Sequence, residues 1–316
     1  MPATTVRPRA HWPCRLLLTA VSLLLVTLLA GLVDAWLIAG RMPRIELSWP
    51  VTEGPETWLI VGLDDRAAAD ERIIEYTGPA ESQPGVRADV IILVTRTDRG
   101  LVAQSVPRNL MVGAPSRIDP GRQTRLGVYW RRSPQQFVDV ICTDLAVPVD
   151  HLITIDLQAF VDIVDALGGI TVDVPQPLRD AELRFELMAG PQHMDGLLAL
   201  GYVRSRLGEV QVGGRWIPEP DGEQARNRRQ GQVLELVMAQ LRGHPLALQR
   251  AAWRASPHIG LDRGTQPWQL GVLAGMPAPQ PLLTNPNTTG VDVRYIGDQT
   301  RAGLAALGYS AQCSPA

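Results

Sequence analysis

Lysine is absent from this chain of 316 residues, so its 30 permanently basic side chains are all arginines. That absence removes Schiff-base chemistry, lysine nucleophiles and the phosphate-binding lysine of a Walker-type loop, and leaves arginine as the only fixed cation for an anion. Histidine is scarce at five residues and cysteine scarcer at three. There is no H-E-x-x-H, C-x-x-C, Gly-rich dinucleotide loop or P-loop, and no Ser-His-Asp grouping can be placed. Common protease, zinc and nucleotide chemistries are therefore without support. A net charge of -2 offers no broad basic surface, so no nucleic-acid partner is expected. A GC-rich genome accounts for an arginine-only composition as a whole, but not for where individual arginines stand.

Leu16 to Val33 is an uncharged run of 18 residues rich in Leu, Val and Ala. Extended to Ala39 as a helix it crosses roughly 30 Å of hydrocarbon, with Asp34 and Trp36 at the far interface. A cleavable signal peptide is the competing reading, but its apolar region is shorter and a small-x-small site follows it, whereas Asp34, Trp36, Arg41 and Arg44 follow here. Arg7, Arg9 and Arg15 precede the run, which places the N-terminus in the cytoplasm and the body outside. Residues 45–316 carry 25 arginines against 31 acidic residues, a formal -6. Cys142 and Cys313 lie in that segment; outside the cell a bridge between them is permitted, and two separate buried thiols are the equal alternative.

The expected organisation is a cytoplasmic N-terminus (1–15), an anchor (16–39), a stalk (40–56), one α/β domain (57–250) and an extension packed on it (251–316). With 45% apolar residues the body easily closes a core. Trp58–Val61 and Val90–Val94 read as buried strands, and Leu101–Val106 pairs with the second across a Thr97–Gly100 turn. Helices are expected over Ser133–Leu145, Leu157–Leu167, Gly196–Val203 and Glu223–Leu241; strands over His151–Ile155 and Ile170–Pro175.

Ligands of α/β sheets bind at strand ends and in the loops beyond them. Five polar segments stand at such places: Gly62–Arg66, Arg87–Asp89, Ser105–Asn109, Tyr202–Arg206 and Arg226–Gln230. Asp64 and Asp89 are carboxylates suited to a hard cation such as Mg2+. Arg108 follows a proline that fixes its turn. Arg204 and Arg206 point together only if the helix ends between them, and Arg226, Arg229 and Gln230 share one helical face. Two carboxylates amid forked guanidinium groups suit a diphosphate with its metal.

In order and wording these strings resemble the LytR-CpsA-Psr proteins of Gram-positive cell envelopes, over roughly Trp58 to Leu241. Further similar strings are Val147–His151, Val164–Pro175 and Gly190–Gly196. The resemblance implies a central mixed β-sheet flanked by helices with an apolar lipid-binding groove, preceded by one transmembrane helix. It implies a phosphotransferase, with pyrophosphatase activity as a further expectation, that moves a glycopolymer from a polyprenyl diphosphate carrier to a peptidoglycan hydroxyl. By motif, Asp64 and Asp89 would hold Mg2+. Arg108, Arg204, Arg206, Arg226 and Gln230 would grip the diphosphate, with Arg66, Arg87 and Arg229 as second choices. Asp64, Asp89, Arg108, Arg204 and Arg206 form the expected catalytic set. The sequence departs from the family pattern at Asn109 and Glu223, each in place of an aspartate, at Leu126–Val128, and in a long loop over 207–221. A non-catalytic lipid-glycan-binding or regulatory member is therefore the alternative. A membrane-linked transcriptional regulator is disfavoured by the span, the acidic body and the lack of a helix-turn-helix.

Overall fold

The structure is a computed structural model, and it describes residues 12–49, 54–77, 85–113, 123–220, 222–286, 293–309 and 313–314. Arg7 and Arg9, used above to orient the anchor, lie outside the described residues. The chain divides into two units, Met1–Arg41 and Met42–Ala316. In the first, α1 (Trp12–Arg41) is a single helix in which Leu16–Arg41 is long and apolar enough to cross a membrane, its most apolar 18-residue window having mean hydropathy 2.7 and no buried share.

The second unit begins with β1 (Arg44–Ile45), β2 (Thr57–Leu63), α2 (Glu71–Thr77), β3 (Ala88–Thr97) and β4 (Gly100–Ser105). Thr57 to Val61 are buried without alternation, as a strand covered on both faces must be. The short pair β5 (Met111–Val112) and β6 (Thr124–Arg125) leads into α3 (Leu126–Tyr129) and α4 (Pro134–Leu145). Ser133 caps α4 by accepting the Gln136 N–H at 3.0 Å, and Pro134 occupies the first turn, where its missing N–H costs nothing. Next come β7 (His151–Ile155) and α5 (Leu157–Ala166), the latter capped by Asp156. Gly168 and Gly169 follow at φ 81° and 89°, a conformation that ends the helix and that side chains resist.

Beyond that stop lie β8 (Ile170–Val174), β9 (Leu178–Asp180), β10 (Phe185–Leu187), β11 (Gly190–Met194) and α6 (Gly196–Arg204). They are followed by β12 (Glu209–Val212), β13 (Arg215–Pro218), α7 (Gly222–Gly243) and α8 (Pro245–Ala255). The chain closes with β14 (Ile259–Asp262), β15 (Gln280–Pro281), β16 (Asn285–Pro286), β17 (Arg294–Tyr295) and α9 (Asp298–Ala306). The central sheet has the order β1-β14-β7-β2-β3-β4-β15. It is mixed, with β7 parallel to β2 and β3 antiparallel to both β2 and β4. One apolar core joins Leu59, Val61, Ile91 and Leu93 of the sheet to Phe137 and Ile141 of α4. A second lies under α6 and α7, against β8 to β12, and includes Val172, Phe185, Tyr202 and Val233.

Three boundaries differ from expectation. The stalk contributes a strand, since β1 pairs with β14 at the sheet edge. The extension past 250 contributes a strand to the domain's own sheet, since β14 lies between β1 and β7. Strands this short show no alternation, and β14 ends on Asp262, a charge that reads as a turn; it is fully buried, accepting the Leu152, Gly264 and Thr265 N–H groups. The long loop over 207–221 is in fact the hairpin β12–β13, turning at Gly213–Gly214.

The C-terminus is tied down twice. The Tyr309 hydroxyl hydrogen-bonds with the Thr57 and Thr95 hydroxyls on β2 and β3, and Cys142 of α4 is disulfide-bonded to Cys313. The bridge spans 171 residues, so it removes a large loop entropy from the unfolded chain. Reduction with dithiothreitol is expected to cost about 2–5 kcal/mol, read as a lower urea midpoint than in the oxidised protein. An unchanged midpoint would mean the tail contributes nothing to global stability.

Candidate functional site

The site forms where β2 ends and β3 begins. Their register runs Gly62↔Val90 and Leu63↔Ala88, which leaves Asp89 as the extra residue of a β-bulge. A bulge turns a side chain out of the strand's alternation, and here it sets Asp89 beside Asp64, one residue past the end of β2. The Asp64 N–H donates to the Arg87 carbonyl at 2.9 Å, locking the two chain ends together.

Guanidinium groups from separate elements converge on these carboxylates. Asp64 Oδ1 accepts from Arg66 Nε at 3.3 Å and from Arg204 Nη1 at 3.0 Å. Asp89 Oδ1 accepts from Arg108 Nη1 at 2.7 Å, and Arg226 Nη2 donates to the Asp89 carbonyl at 3.1 Å. Burial alone would push the Asp89 carboxyl upward, but the charges of Arg108, Arg226 and Arg204 outweigh it and hold the group below the usual carboxylate range. On both aspartates Oδ2 has no hydrogen-bond partner among the described residues, so each can still give a hard oxygen to a cation. No group of three or more His, Cys, Asp or Glu placed to hold a metal ion is found among the described residues. Two carboxylates nevertheless fit Mg2+, which takes few protein ligands and fills its remaining positions with water and phosphate oxygens.

The surrounding cleft has a volume of about 580 Å3. Arg66, Arg87, Arg108, Arg204 and Arg206 all line it with both aspartates. α6 ends at Arg204 and Ser205 is extended (φ -55°, ψ 128°), which is why Arg204 and Arg206 reach the same cavity. Gly127, at the start of α3, closes one wall; a Cβ there would lie 2.5 Å from the Ala88 carbonyl, so only glycine lets α3 approach β3 and Arg108.

Arg226 is buried, and Gln230 stands behind it. With the Gln230 amide oriented to satisfy both its groups, its oxygen accepts from Arg226 Nε at 3.0 Å. Gln230 thus holds Arg226 in place. Arg229 turns away from the cleft, its Nη1 on the Glu219 carboxylate at 2.8 Å and its Nη2 on the Ser205 carbonyl at 2.6 Å.

Other lining residues had no signal in the sequence. Arg125 and Arg184 add two cations, Arg184 at the unusual φ of 53°. Asp180 is buried, accepts the Glu182 and Leu183 N–H groups, and receives the Ser205 hydroxyl at 2.7 Å, tying the β9–β10 turn to the Arg204–Arg206 segment. Tyr76 enters from α2; burial, with the charges of Asp180 and Asp195, pushes its hydroxyl up to about 12, so it remains a proton donor.

Residues 39–249 match the LytR_cpsA_psr family, two thirds of the chain. The chain belongs to that family. Among solved structures, the LytR-Csp2A-Psr enzyme from Actinomyces oris is 31% identical, with a TM-score of 0.71 over 87% of this chain and 99% of that one. Among curated proteins, the probable cell wall biosynthesis protein LcpB of Corynebacterium glutamicum is 27% identical over 59% of this chain and 44% of its own. The polyisoprenyl-teichoic acid–peptidoglycan teichoic acid transferase TagV of Bacillus subtilis is 26% identical over 58% and 43%. The chain thus spans less than half the length of these curated relatives. Asn109, Gly127 and Val128 all line the cavity.

Arg229 and Glu219 are a buried pair, with side chains 6% and 10% exposed. Arg229→Ala leaves Glu219 charged and unpaired and is expected to cost about 3–5 kcal/mol. The denaturation midpoint reads this, and an Arg229→Ala protein as stable as the wild type would refute the assignment.

Proposed function

We propose that this chain is a membrane-anchored phosphotransferase that moves a glycopolymer from a polyprenyl diphosphate carrier onto a peptidoglycan hydroxyl. The observation that carries this reading is the cleft at the β2–β3 bulge, where arginines from six segments surround two carboxylates that each keep one oxygen free. The names of the relatives, a cell wall biosynthesis protein and a teichoic acid transferase, point the same way.

Arg108, Arg204 and Arg206 would fork onto the diphosphate oxygens, with Arg226 steadied by Gln230 completing the grip and Arg66 and Arg87 flanking it. Asp64 and Asp89 would hold Mg2+, which when bound supplies charge neutralisation at the leaving phosphate. The acceptor oxygen attacks the phosphorus next to the sugar in line, and the bond from that phosphorus to the bridging oxygen breaks, releasing polyprenyl phosphate. The hydroxyl proton passes to Asp64. Positioning and preorganised charge do most of the work, as expected for phosphoryl transfer. The polyprenyl chain would leave the cleft between Tyr76 and Leu183, both of which line it and pack in the second core.

α1 would span the bilayer with the N-terminus in the cytoplasm and residues 42–316 outside. The Cys142–Cys313 disulfide supports that orientation, since such bonds persist in oxidising compartments. A reporter fused after Ala316 that is active only outside the cell is the expected result; cytoplasmic activity would overturn it.

The enzymatic reading is tested with the full chain in detergent micelles, Mg2+, a polyprenyl diphosphate-linked glycan and peptidoglycan fragments. Transfer is expected, to be lowered at least ~100-fold by Arg108→Ala or Arg204→Ala, with circular dichroism unchanged, and lost on chelation of Mg2+. Release of polyprenyl phosphate without acceptor reports pyrophosphatase activity. Retained transfer in both variants would remove the arginines from the site. Tight binding without turnover would instead favour the non-catalytic reading raised by Asn109.

A further inference from the structure

Arg228, one residue from the Arg229–Glu219 pair, faces a second cavity of about 360 Å3. Its walls come from the β8–β9 connection, from α7, and from the two ends of the β12–β13 hairpin at Val210 and Glu219. The Asp173 carboxylate, the Gln176 amide and the Arg228 guanidinium all line it, and none has a hydrogen-bond or ion-pair partner among the described residues. Between them lies an apolar floor of Val174, Pro175, Leu178 and Ala225.

We propose that this pocket binds one pyranose unit of the carbohydrate substrate. The inference rests on the glycopolymer-transfer reading and deepens it. A sugar ring presents adjacent hydroxyls that both donate and accept, and an apolar C–H face. A free carboxylate, a free amide and a free guanidinium around an apolar floor match that pattern, the amide and the guanidinium each offering two parallel contacts. The charge balance decides between ligands. Asp173 and Glu219 offset Arg228 and Arg229, so the pocket favours a neutral, hydroxyl-rich group over a second phosphate. The volume falls in the range of small-ligand sites, roughly 300–1,000 Å3.

The position is also apt. Arg229 forms the partition, bonded on one side to Glu219 of the pocket and on the other to the Ser205 carbonyl, between the cleft-lining Arg204 and Arg206. A sugar in the pocket therefore lies one layer of side chains from the diphosphate. Val210 and Glu219 of the β12–β13 hairpin supply part of its wall, so that hairpin would contribute to the choice of glycan.

The test uses the full chain in detergent micelles, with chitotetraose as a soluble probe of N-acetylhexosamine and maltotetraose as a probe of neutral hexose. Saturation-transfer NMR is expected to show contact with the ring protons of at least one probe. The signal should be lost in the double variant Gln176→Ala/Arg228→Ala, which removes two side chains outside the diphosphate machinery and should keep the wild-type denaturation midpoint. In the transfer assay the same variant should raise one KM roughly tenfold with kcat within about twofold. A higher KM for the lipid-linked glycan assigns the pocket to the donor sugar, and a higher KM for peptidoglycan to the acceptor. Ring saturation without any transfer by the wild type would sink the enzymatic reading and leave the sugar pocket standing. Absence of saturation in the wild type, or saturation and both KM values unchanged in the folded variant, would overturn the pocket itself.

Discussion

Two carboxylates on adjoining strand ends repel each other, and the architecture of this protein is arranged around relieving that repulsion. Asp64 and Asp89 are brought together by the β2–β3 register and its bulge, and they are met by Arg66 from the same turn as Asp64 and by Arg108, Arg204 and Arg226 from three other places in the chain. Each arrival needs its own support. Arg108 depends on the Pro107 turn and on the glycine at 127, Arg204 on the C-terminus of α6, and Arg226 on α7 with Gln230 behind it. The field that lowers the Asp89 carboxyl is thus a property of the whole fold.

Arginine suits this role in a way lysine would not. Its planar fork can hold a carboxylate with one nitrogen and leave the others for phosphate oxygens, and it loses less hydration energy when buried. Arg204 shows the economy: Nη1 alone contacts Asp64, and the side chain remains on the cleft wall. An acidic body with a local cluster of arginines concentrates positive potential at one strand edge and leaves the remaining surface unattractive to nucleic acid.

Much of this was legible in the sequence because it rests on local rules. The buried runs of β2 and β3, the Ser133 cap and the Gly168–Gly169 stop are governed by neighbours within a few residues, and the resemblance then ordered the polar segments into one site. The unread parts are nonlocal. Nothing near Ile259–Asp262 announces a strand inside the central sheet, because its pairing partners are residues 44–45 and 153–155. Nothing around Asp180 or Arg184 announces a cleft wall, since what places them there is the Ser205 hydroxyl 25 residues away. The disulfide was open for the same reason: spacing does not tell whether the ends of a 171-residue loop meet.

Arg229 shows how finely helical geometry divides labour. It shares a face with Arg226 and Gln230 by spacing, yet at about 100° per residue Gln230 lies roughly 40° round the axis from Arg226 on one side and Arg229 roughly 60° on the other. That divergence is enough to send Arg226 to the Asp89 carbonyl and Arg229 to Glu219. Those three residues span about 100° of the helix, and a wall can stand at the edge of such a face. In this chain the wall is Arg229 itself. Its side chain joins Glu219 of the neighbouring pocket to the Ser205 carbonyl between two cleft-lining arginines, so a residue matched to a substrate-binding motif stands here between two cavities.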